Sequence, residues 1–334
     1  REHRAMRVLA DQRKNEALPF LTVVAKLDAA KLPLLLADSL WVDFAPCPEG
    51  PRGGELLRLI FGLVDEPLSP DAMRAIVKLD ADTKDAMTTI QAAVDNGFPD
   101  DIVEAARKGG ETWKSTAMLA SHAAEGLNAL GEYDRVLEVI NLYKEHFDRS
   151  IRLLHMEALA YRRTNRYREA LKVLGKLHAD GHRDPETLGL YGASLAKRYD
   201  ETGDRVYLEK SQHMYADAFA ADPADYYNGI NAASKAALLG AGAEVFQPIA
   251  GRVSRLPAIQ NPDKANYWEL ATVGEAKLLA LDIDGAVAAY REAVTRHPEQ
   301  EGSIGSTREQ LERLLAALDL SPKDKDRLRE SLNG

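Results

Sequence analysis

The sequence predicts a mainly α-helical chain in which antiparallel helix pairs stack into a solenoid, behind a partial α/β segment. Three observations predict this fold class. A pattern of small and aromatic residues recurs between residues 114 and 320 with a spacing of 34. Helix-start signals, in which Asp or Ser precedes Pro, recur along the chain. Short apolar runs of strand length and β-rich composition are confined to the first 65 residues.

The bulk composition limits the classes of function. The 334 residues are enough for two or three domains, and 45% hydrophobic with 28% charged residues is ordinary for a soluble protein. A net charge of -9 argues against a general nucleic-acid-binding surface. No apolar run approaches the roughly 20 residues that span a bilayer. The single Cys47 excludes an internal disulfide, so we expect a cytoplasmic protein. From the net charge and the lack of a long apolar run, we expect neither nucleic acid nor a membrane as a partner.

Residues 1–65 predict the end of an α/β domain. Leu18–Ala25 and Leu40–Phe44 have the composition of strands, whereas Arg1–Asn15 and Gly53–Val64 are typical of helices. Two strands alone are rarely stable, so these runs need sheet neighbours that this segment does not supply. The segment is therefore expected to be the incomplete part of a larger sheet domain.

The string LPFLTVVAKLDAAKLPLLLADSLWVDF, followed by GGELLRLIFGL, resembles the C-terminal part of a bacterial Toll/interleukin-1 receptor (TIR) domain. The resemblance implies a link to NAD, which members of this family cleave with a glutamate that lies upstream of the portion found here. No catalytic residue is carried over, and whether the protein is an enzyme stays open. The alternative is that the strands belong to another doubly wound domain.

Residues 66–113 are expected to form connecting helices. Ser69-Pro70-Asp71 is a helix-start signal, and Asp82–Asp95 is amphipathic and ends at Asn96-Gly97. Pro99–Arg107 predicts a further short helix that ends at Gly109-Gly110. This segment joins the first domain to the repeats or caps them.

Residues 114–320 contain a repeated helical hairpin. Gly131-Glu132-Tyr133 aligns with Asn165-Arg166-Tyr167 at a spacing of 34. This period and pattern resemble the tetratricopeptide repeat, in which small residues let paired helices approach and aromatic residues fill the gap beside them. Two units carry the pattern, with the residues Ala158, Tyr161, Tyr167 and Ala170 in one and Gly274, Ala286, Tyr290, Ala293 and Pro298 in the other.

The centre of the array has additional signals. Asp184-Pro185 and Asp222-Pro223 both predict helix starts, and Asp200–Asp204 predicts a loop between two helices. A face of small residues between them allows close approach of a backbone or a ligand, and consists of Gly189, Gly192, Ala193 and Ala196. Residues 321–334 begin with Ser321-Pro322 and predict a short polar helix that caps the array.

Four motifs in order carry a more specific resemblance: GLYGASLAKR (189–198), YYNGIN (226–231), YWELATVGEA (267–276) and STREQLERL (306–314). They resemble the divergent tetratricopeptide region of the apoptosis signal-regulating kinases and its bacterial relatives. In the kinases this region is regulatory and binds partner proteins. In the bacterial relatives the resemblance implies a sensor for a signal, such as a nucleotide, that controls an effector.

The motifs place candidate ligand-binding residues on the first helix of each pair, which normally lines the concave surface of a solenoid. Spacings of three, four and seven residues put their side chains on common faces. Cations suit phosphate, Trp suits a stacked ring, and amide or carboxylate groups suit polar ring edges. The candidates are Lys197, Arg198, Asn228, Asn231, Trp268, Thr272, Glu275, Arg308 and Gln310.

Structural explanations compete with each candidate. Ser306 and Glu309 fit a helix capping box, and Lys197 has potential partners in Asp200 and Glu275. Trp268 is a common packing residue at a repeat start, and Asn231 has a neighbouring helix's backbone as a potential partner. The cluster Arg162, Arg163, Arg166 and Arg168 is expected to be a solvated face.

The sequence therefore favours the sensor and scaffold region of a cytosolic defence-signalling protein. A nucleotide or NAD-derived ligand, or a partner protein, would bind in the concave face and alter self-association of the arrays. A constitutive protein-binding adaptor and an NAD-cleaving enzyme with its catalytic part upstream are the alternatives. No metal spacing among the His residues and no phosphate-binding loop or dinucleotide fingerprint occurs, so no cofactor is expected.

Overall fold

The computed structural model describes residues 24–26, 41–43, 70–259 and 265–333. The chain divides into two compact units between Leu130 and Gly131. The predicted helices Arg1–Asn15 and Gly53–Val64, the loop residue Cys47 and most of the TIR-like string lie outside the described residues.

In the first unit, two short strands pair in parallel. Strand β1 (Val24–Lys26) lies beside β2 (Trp41–Asp43), with Val24 opposite Trp41. Both strands fall where the sequence predicts them, at the end of the first apolar run and inside the second. Parallel pairing requires a crossover connection between the strands, as α/β domains have.

Four helices complete the described part of the first unit: α1 (Pro70–Asp95), α2 (Pro99–Lys108), α3 (Gly110–Ser115) and α4 (Ala117–Ala129). The start signal at Pro70 and the amphipathic stretch up to Asp95 belong to a single helix. Gly97 follows it with a φ of +69°, the left-handed conformation that ends helices. Helix α2 has the predicted start and nearly the predicted end.

The second unit consists of helices that alternate along a solenoid. The first of them is α5 (Tyr133–Tyr143), and four antiparallel pairs and a final pair follow it. Their bounds are α6 (Ile151–Arg163), α7 (Tyr167–Ala179), α8 (Pro185–Thr202), α9 (Arg205–Ala221), α10 (Tyr226–Leu238), α11 (Ala243–Val253), α12 (Tyr267–Leu279), α13 (Ile283–Arg296), α14 (Glu301–Ala317) and α15 (Pro322–Ser331).

The repeat turns explain the spacing seen in the sequence. Gly131 and Asn165 both have a positive φ, of 77° and 58°, and each is followed two residues later by a helix that starts at a Tyr. Gly240 and Leu281 take the same conformation before later second helices. One left-handed residue thus reverses the chain in each of these repeats. This position accepts Asn and Leu as well as Gly, at a modest cost in backbone strain.

Two of the close helix pairs depend on a small residue opposite an aromatic ring. A Cβ at Gly274 of α12 would lie 2.6 Å from the Tyr290 ring of α13, and one at Gly192 of α8 would lie 3.0 Å from the Tyr215 ring of α9. Both rings are almost completely buried. The two glycines of the small-residue face of α8 therefore serve helix packing, because Gly189 likewise accommodates the side chain of Asn228, whereas Ala193 and Ala196 line the pocket described below.

Two expectations in the centre of the array are wrong. Asp222-Pro223 does not start a helix: Asp222 ends α9, and its carboxylate accepts a hydrogen bond from the backbone of Ala224 in a turn. Helix α10 starts at Tyr226 instead, with Asp225 as its cap. The Asp200–Asp204 segment is mostly helical, since α8 continues to Thr202 and only the left-handed Gly203 separates it from the cap Asp204.

The capping box at Ser306 is also wrong. Helix α14 begins at Glu301, and the Ser306 hydroxyl donates to the carbonyl of Gly302 one turn earlier. Lys197 and Arg308 accordingly lie inside helices, not at their ends. At the C-terminus the prediction is confirmed, because Ser321 caps α15 and this helix packs on α13 and α14. Among the described residues, no helix combines the length and apolarity that crossing a membrane requires.

The contact between Gly274 and Tyr290 predicts opposite effects of two matched substitutions. Gly274→Ala is expected to lower the free energy of unfolding by roughly 1–2 kcal/mol, because overpacking outweighs the gain in helix propensity. Gly305→Ala, inside α14 with open space around a Cβ, is expected to raise it by about 0.5–1 kcal/mol. Urea unfolding followed by circular dichroism measures both. Equal effects of the two changes would contradict the packing role of Gly274.

Candidate functional site

A pocket of about 270 Å³ lies in the second unit, and helices from five successive pairs line it. All five are the first helices of their pairs: α6, α8, α10, α12 and α14. The side chain of Tyr215 from α9 adds to the wall. The four sequence motifs at 189–198, 226–231, 267–276 and 306–314 each supply lining residues.

The lining residues form three layers, because each helix contributes side chains about one turn apart. The first layer consists of Ala193, Tyr227, Trp268 and Ser306. About one turn further along each helix, the second layer consists of Lys197, Asn231, Thr272 and Gln310. Another turn further, the third layer consists of Asp200, Lys235, Glu275 and Arg313. We refer to these sets as the aromatic layer, the polar layer and the charged layer.

In the charged layer, the protein satisfies both carboxylates. Asp200 lies 3.1 Å from the Arg313 guanidinium and 3.7 Å from the Lys197 ammonium. Glu275 accepts hydrogen bonds from the hydroxyl of Ser234 and, at 2.9 Å, from the amide of Gln310. These contacts hold α8, α12 and α14 at fixed positions around the pocket.

The ammonium of Lys235 is different because it has no partner of its own. The residue is only 6% exposed, yet it makes no hydrogen bond or ion pair with any residue that the structure describes. Burial lowers the pKa of Lys235, and the nearby Glu275 and Asp200 carboxylates oppose this shift only in part. A buried ammonium without a partner reduces stability.

Arg162 provides a second unsatisfied cation at the pocket wall. Its Nε atom is buried and has no hydrogen-bond partner within the described ranges. The expectation of a solvated arginine face is wrong for this residue, because it turns towards the pocket while Arg163, Arg166 and Arg168 are exposed. Arg163 and Arg166 instead lie over the rings of Tyr133 and Tyr161.

Two aromatic side chains lie at the opposite end of the pocket from the charged layer. Tyr227 and Trp268 are each 48% exposed, although both are large and partly apolar. The hydroxyl of Tyr227 lies 3.3 Å from that of Tyr215, and the Trp268 ring meets Tyr267 edge-on, so both rings are supported from behind. A planar ring would find two accessible aromatic faces here.

Six of the nine predicted residues line the pocket: Lys197, Asn231, Trp268, Thr272, Glu275 and Gln310. Lys197 does pair with Asp200, and Asn231 donates to the carbonyl of Tyr227 in its own helix at 2.9 Å. The Asn231 side chain therefore bonds within α10 and not to a neighbouring helix.

The structure places the other three predicted residues away from the lining. Arg198 pairs with Glu201 at 2.6 Å and lies over the ring of Tyr207 from α9. Asn228 is buried, and its amide donates to the Asp225 carboxylate, which ties the side chain to the cap of α10. The Arg308 guanidinium donates to the Leu332 carbonyl, which fixes the end of the final helix.

The charged layer contains three residues outside the predicted candidates: Asp200, Arg313 and Lys235, of which Lys235 shares the polar stripe of Asn228 and Asn231 in the sequence. Each lies three or four residues beyond a selected one, on the same helical face as Lys197, Asn231 or Gln310. Extending each stripe by one turn would have found them. Arg162 had no comparable signal, because it comes from an earlier repeat.

The pocket carries four cations, Arg162, Lys197, Lys235 and Arg313, against the three carboxylates Asp200, Glu275 and Glu309. Its chemistry suits an anion at one end and a ring at the other. Among the described residues, no group of three His, Cys, Asp or Glu side chains has the arrangement of a metal site.

Comparisons with known proteins place repeats of this type in the second unit. A family model described as Tetratricopeptide Repeats-Sensor matches residues 129–239, which include the pocket residues of α6, α8 and α10. The crystal structure of a thermophilic tetratricopeptide-repeat protein from Thermus thermophilus is similar at 18% identity and a TM-score of 0.47, over 59% of this chain and 99% of that chain. No curated protein matches. Tetratricopeptide repeats generally mediate protein interactions through their concave surfaces.

The unpaired ammonium predicts that a substitution will stabilise the protein. Lys235→Met is expected to raise the free energy of unfolding by about 1–3 kcal/mol, since it keeps the length of the side chain and removes a buried charge. Differential scanning calorimetry measures the change. Lys210→Met on the exposed surface of α9 is the control and is expected to change stability by less than about 0.5 kcal/mol.

The stabilisation by Lys235→Met is expected to depend on pH. Because the folded-state pKa of Lys235 lies below the usual 10.5, unfolding takes up a proton between the two values. The loss of stability that the buried Lys235 charge causes is complete below the folded-state pKa. It disappears as the pH rises towards the usual lysine pKa of 10.5. The stability difference should therefore shrink between pH 7 and pH 10, and a constant difference would show that the ammonium is not the cause.

Proposed function

We propose that the second unit is a sensor region whose pocket binds a phosphorylated ligand with a planar ring, such as a nucleotide. The observation that carries this proposal is Lys235, a buried ammonium without a partner among the described residues. A protein tolerates such a cost where a ligand supplies the missing charge, and stability is commonly sacrificed at binding sites.

The phosphate would bind at the charged layer. Its oxygens accept hydrogen bonds from the Lys235 ammonium and from the guanidinium of Arg162, whose Nε lacks a partner in the described structure. Charge-assisted hydrogen bonds of this kind are roughly twice as strong as neutral ones. Lys197 and Arg313 already share Asp200, so they contribute less in the ligand-free protein.

The ring would bind in the aromatic layer, against Tyr227 or Trp268. Stacking of a base on an aromatic side chain contributes roughly 1–3 kcal/mol. Between the two ends, Asn231, Thr272 and Gln310 provide hydrogen-bonding groups at the level of a sugar or a ring edge. These groups provide specificity, because an unmatched polar group in the pocket would lose its hydrogen bonds.

Binding would act on the array as a whole. One ligand would contact helices from five successive pairs, so its affinity depends on how those pairs are stacked. It would then favour the stacking to which it binds better, and the population of that arrangement would rise. We propose that this change alters self-association of the arrays and clusters a TIR-like effector preceding them, as the sequence resemblances imply.

A protein-binding adaptor is the second candidate, and the general role of tetratricopeptide repeats favours it. An adaptor needs a long open groove lined by side chains from many repeats. The observed pocket is compact, at about 270 Å³, and its charged side chains converge from the five first helices that line it. This volume is close to the lower limit of about 300 Å³ for small-molecule sites, so the shape supports the sensor.

Thermal unfolding with a panel of nucleotides tests the sensor. AMP, ADP, ATP, GMP, NAD and ADP-ribose are added to the wild type, to Lys235→Met and to Trp268→Ala. A ligand at 100 times its Kd stabilises the folded state by about 2.7 kcal/mol, which raises Tm by several degrees. The wild type is expected to show this rise with at least one compound, and both variants are expected to lose it.

The control for this experiment is Lys210→Met, which changes an exposed charge on α9 and should keep the full response. The same compound should bind less tightly at higher salt, because the ligand is anionic. Absence of any shift in the wild type would refute the nucleotide sensor and direct the search to protein partners.

A further inference from the structure

The ion pair between Asp200 and Arg313 connects helices that are not neighbours in the array. Asp200 lies in the last turn of α8, whereas Arg313 lies in α14, beyond the first helices α10 and α12 that separate them along the solenoid. The pair therefore spans the charged end of the pocket. Both side chains are largely shielded, with 22% of Asp200 and 38% of Arg313 exposed.

The same ion pair also borders a second cavity. This neighbouring cavity has a volume of about 540 Å³, and Asp200 and Arg313 belong to the linings of both. Its remaining wall is uncharged and consists of Tyr199, Gly203, Leu238, Ala316 and Ala317. Any movement of this ion pair therefore changes the walls of both cavities.

Asp200 holds the position that an anionic ligand needs. It lies between the Lys197 ammonium and the Arg313 guanidinium, and its charge also acts on Lys235. A bound phosphate would thus meet the cations Lys197, Lys235 and Arg313 and the two like-charged carboxylates of the charged layer, of which Glu275 is already held by Ser234 and Gln310. Phosphate offers three acceptor oxygens and a second negative charge, so it is the stronger partner for a guanidinium.

We infer that Asp200 is an internal occupant of the anion site, and that an anionic ligand binding at Lys235 displaces it from Arg313. This inference rests on the proposed function of the pocket and adds its regulation. Displacement transfers Arg313 from the carboxylate to the ligand and changes the walls of both the pocket and the neighbouring cavity. The α8–α14 connection then depends on the ligand, which gives binding a direct effect on the curvature of the array.

Asp200→Asn tests the inference, because it removes the competing charge and keeps the shape of the side chain. Isothermal titration calorimetry at constant ionic strength measures the affinity for AMP and for inorganic phosphate. The variant is expected to bind both probes about tenfold more tightly than the wild type, a difference well within the range of one charged contact. Glu201→Gln, at the next position on the same helix and paired with Arg198, is the matched control and should match the wild type within about twofold.

The outcomes separate the inference from the proposed function. If the wild type binds AMP and Asp200→Asn binds it equally or more weakly, the inference fails while the sensor stands. If only Asp200→Asn binds the probes, the carboxylate blocks the site as inferred. If neither protein binds either probe, the inference fails, and the sensor stands or falls with the other nucleotides of the thermal-unfolding panel. Helical circular dichroism confirms folding, and Asp200→Ala repeats the test without an amide that forms new hydrogen bonds.

Discussion

The second unit depends on the close approach of paired helices, which small residues on the first helix allow. Because Gly192 and Gly274 have no Cβ, the rings of Tyr215 and Tyr290 on the second helices pack against them, and both rings are buried. This packing fixes the rotation of each first helix about its axis. The opposite face of that helix then lies on the concave surface of the solenoid. Close packing on one side thus determines which residues meet in the pocket on the other.

The pocket itself is polar, which sets up an energetic conflict. Glu275 and Asp200 are satisfied by hydrogen bonds and ion pairs, but Lys235 and the Nε of Arg162 lack partners in the described part of the chain. Hydrophobic burial and packing in the core have to offset this cost. A sequence that needed only a stable solenoid would place an apolar residue at position 235. The charge is therefore better explained by an interaction that the isolated chain does not contain.

Much of the fold was predictable because its signals are local. The left-handed Gly131 and Asn165 and the caps at Asp184 and Ser321 act within a few residues, so the sequence reveals them directly. Asp222 and Asp225 were harder to separate, since both carboxylates bond a backbone N–H and only the chain geometry decides which one begins a helix. The pocket was less predictable, because one residue changes the direction of a side chain by about 100° on a helix. Lys197 thus lines the pocket while its neighbour Arg198 turns towards Tyr207 of α9.

The layered arrangement also limits the size of a ligand. Trp268 and Glu275 are seven residues apart on α12, which corresponds to about 10 Å along the helix axis. A single nucleotide, with its ring in the aromatic layer and its phosphate in the charged layer, matches this length and the volume of about 270 Å³. A dinucleotide is a much larger ligand and would need additional space, such as the neighbouring cavity of about 540 Å³. Because Asp200 and Arg313 border both cavities, the state of this ion pair would affect which of the two classes of ligand fits, and the contact that connects α8 to α14 would also influence specificity.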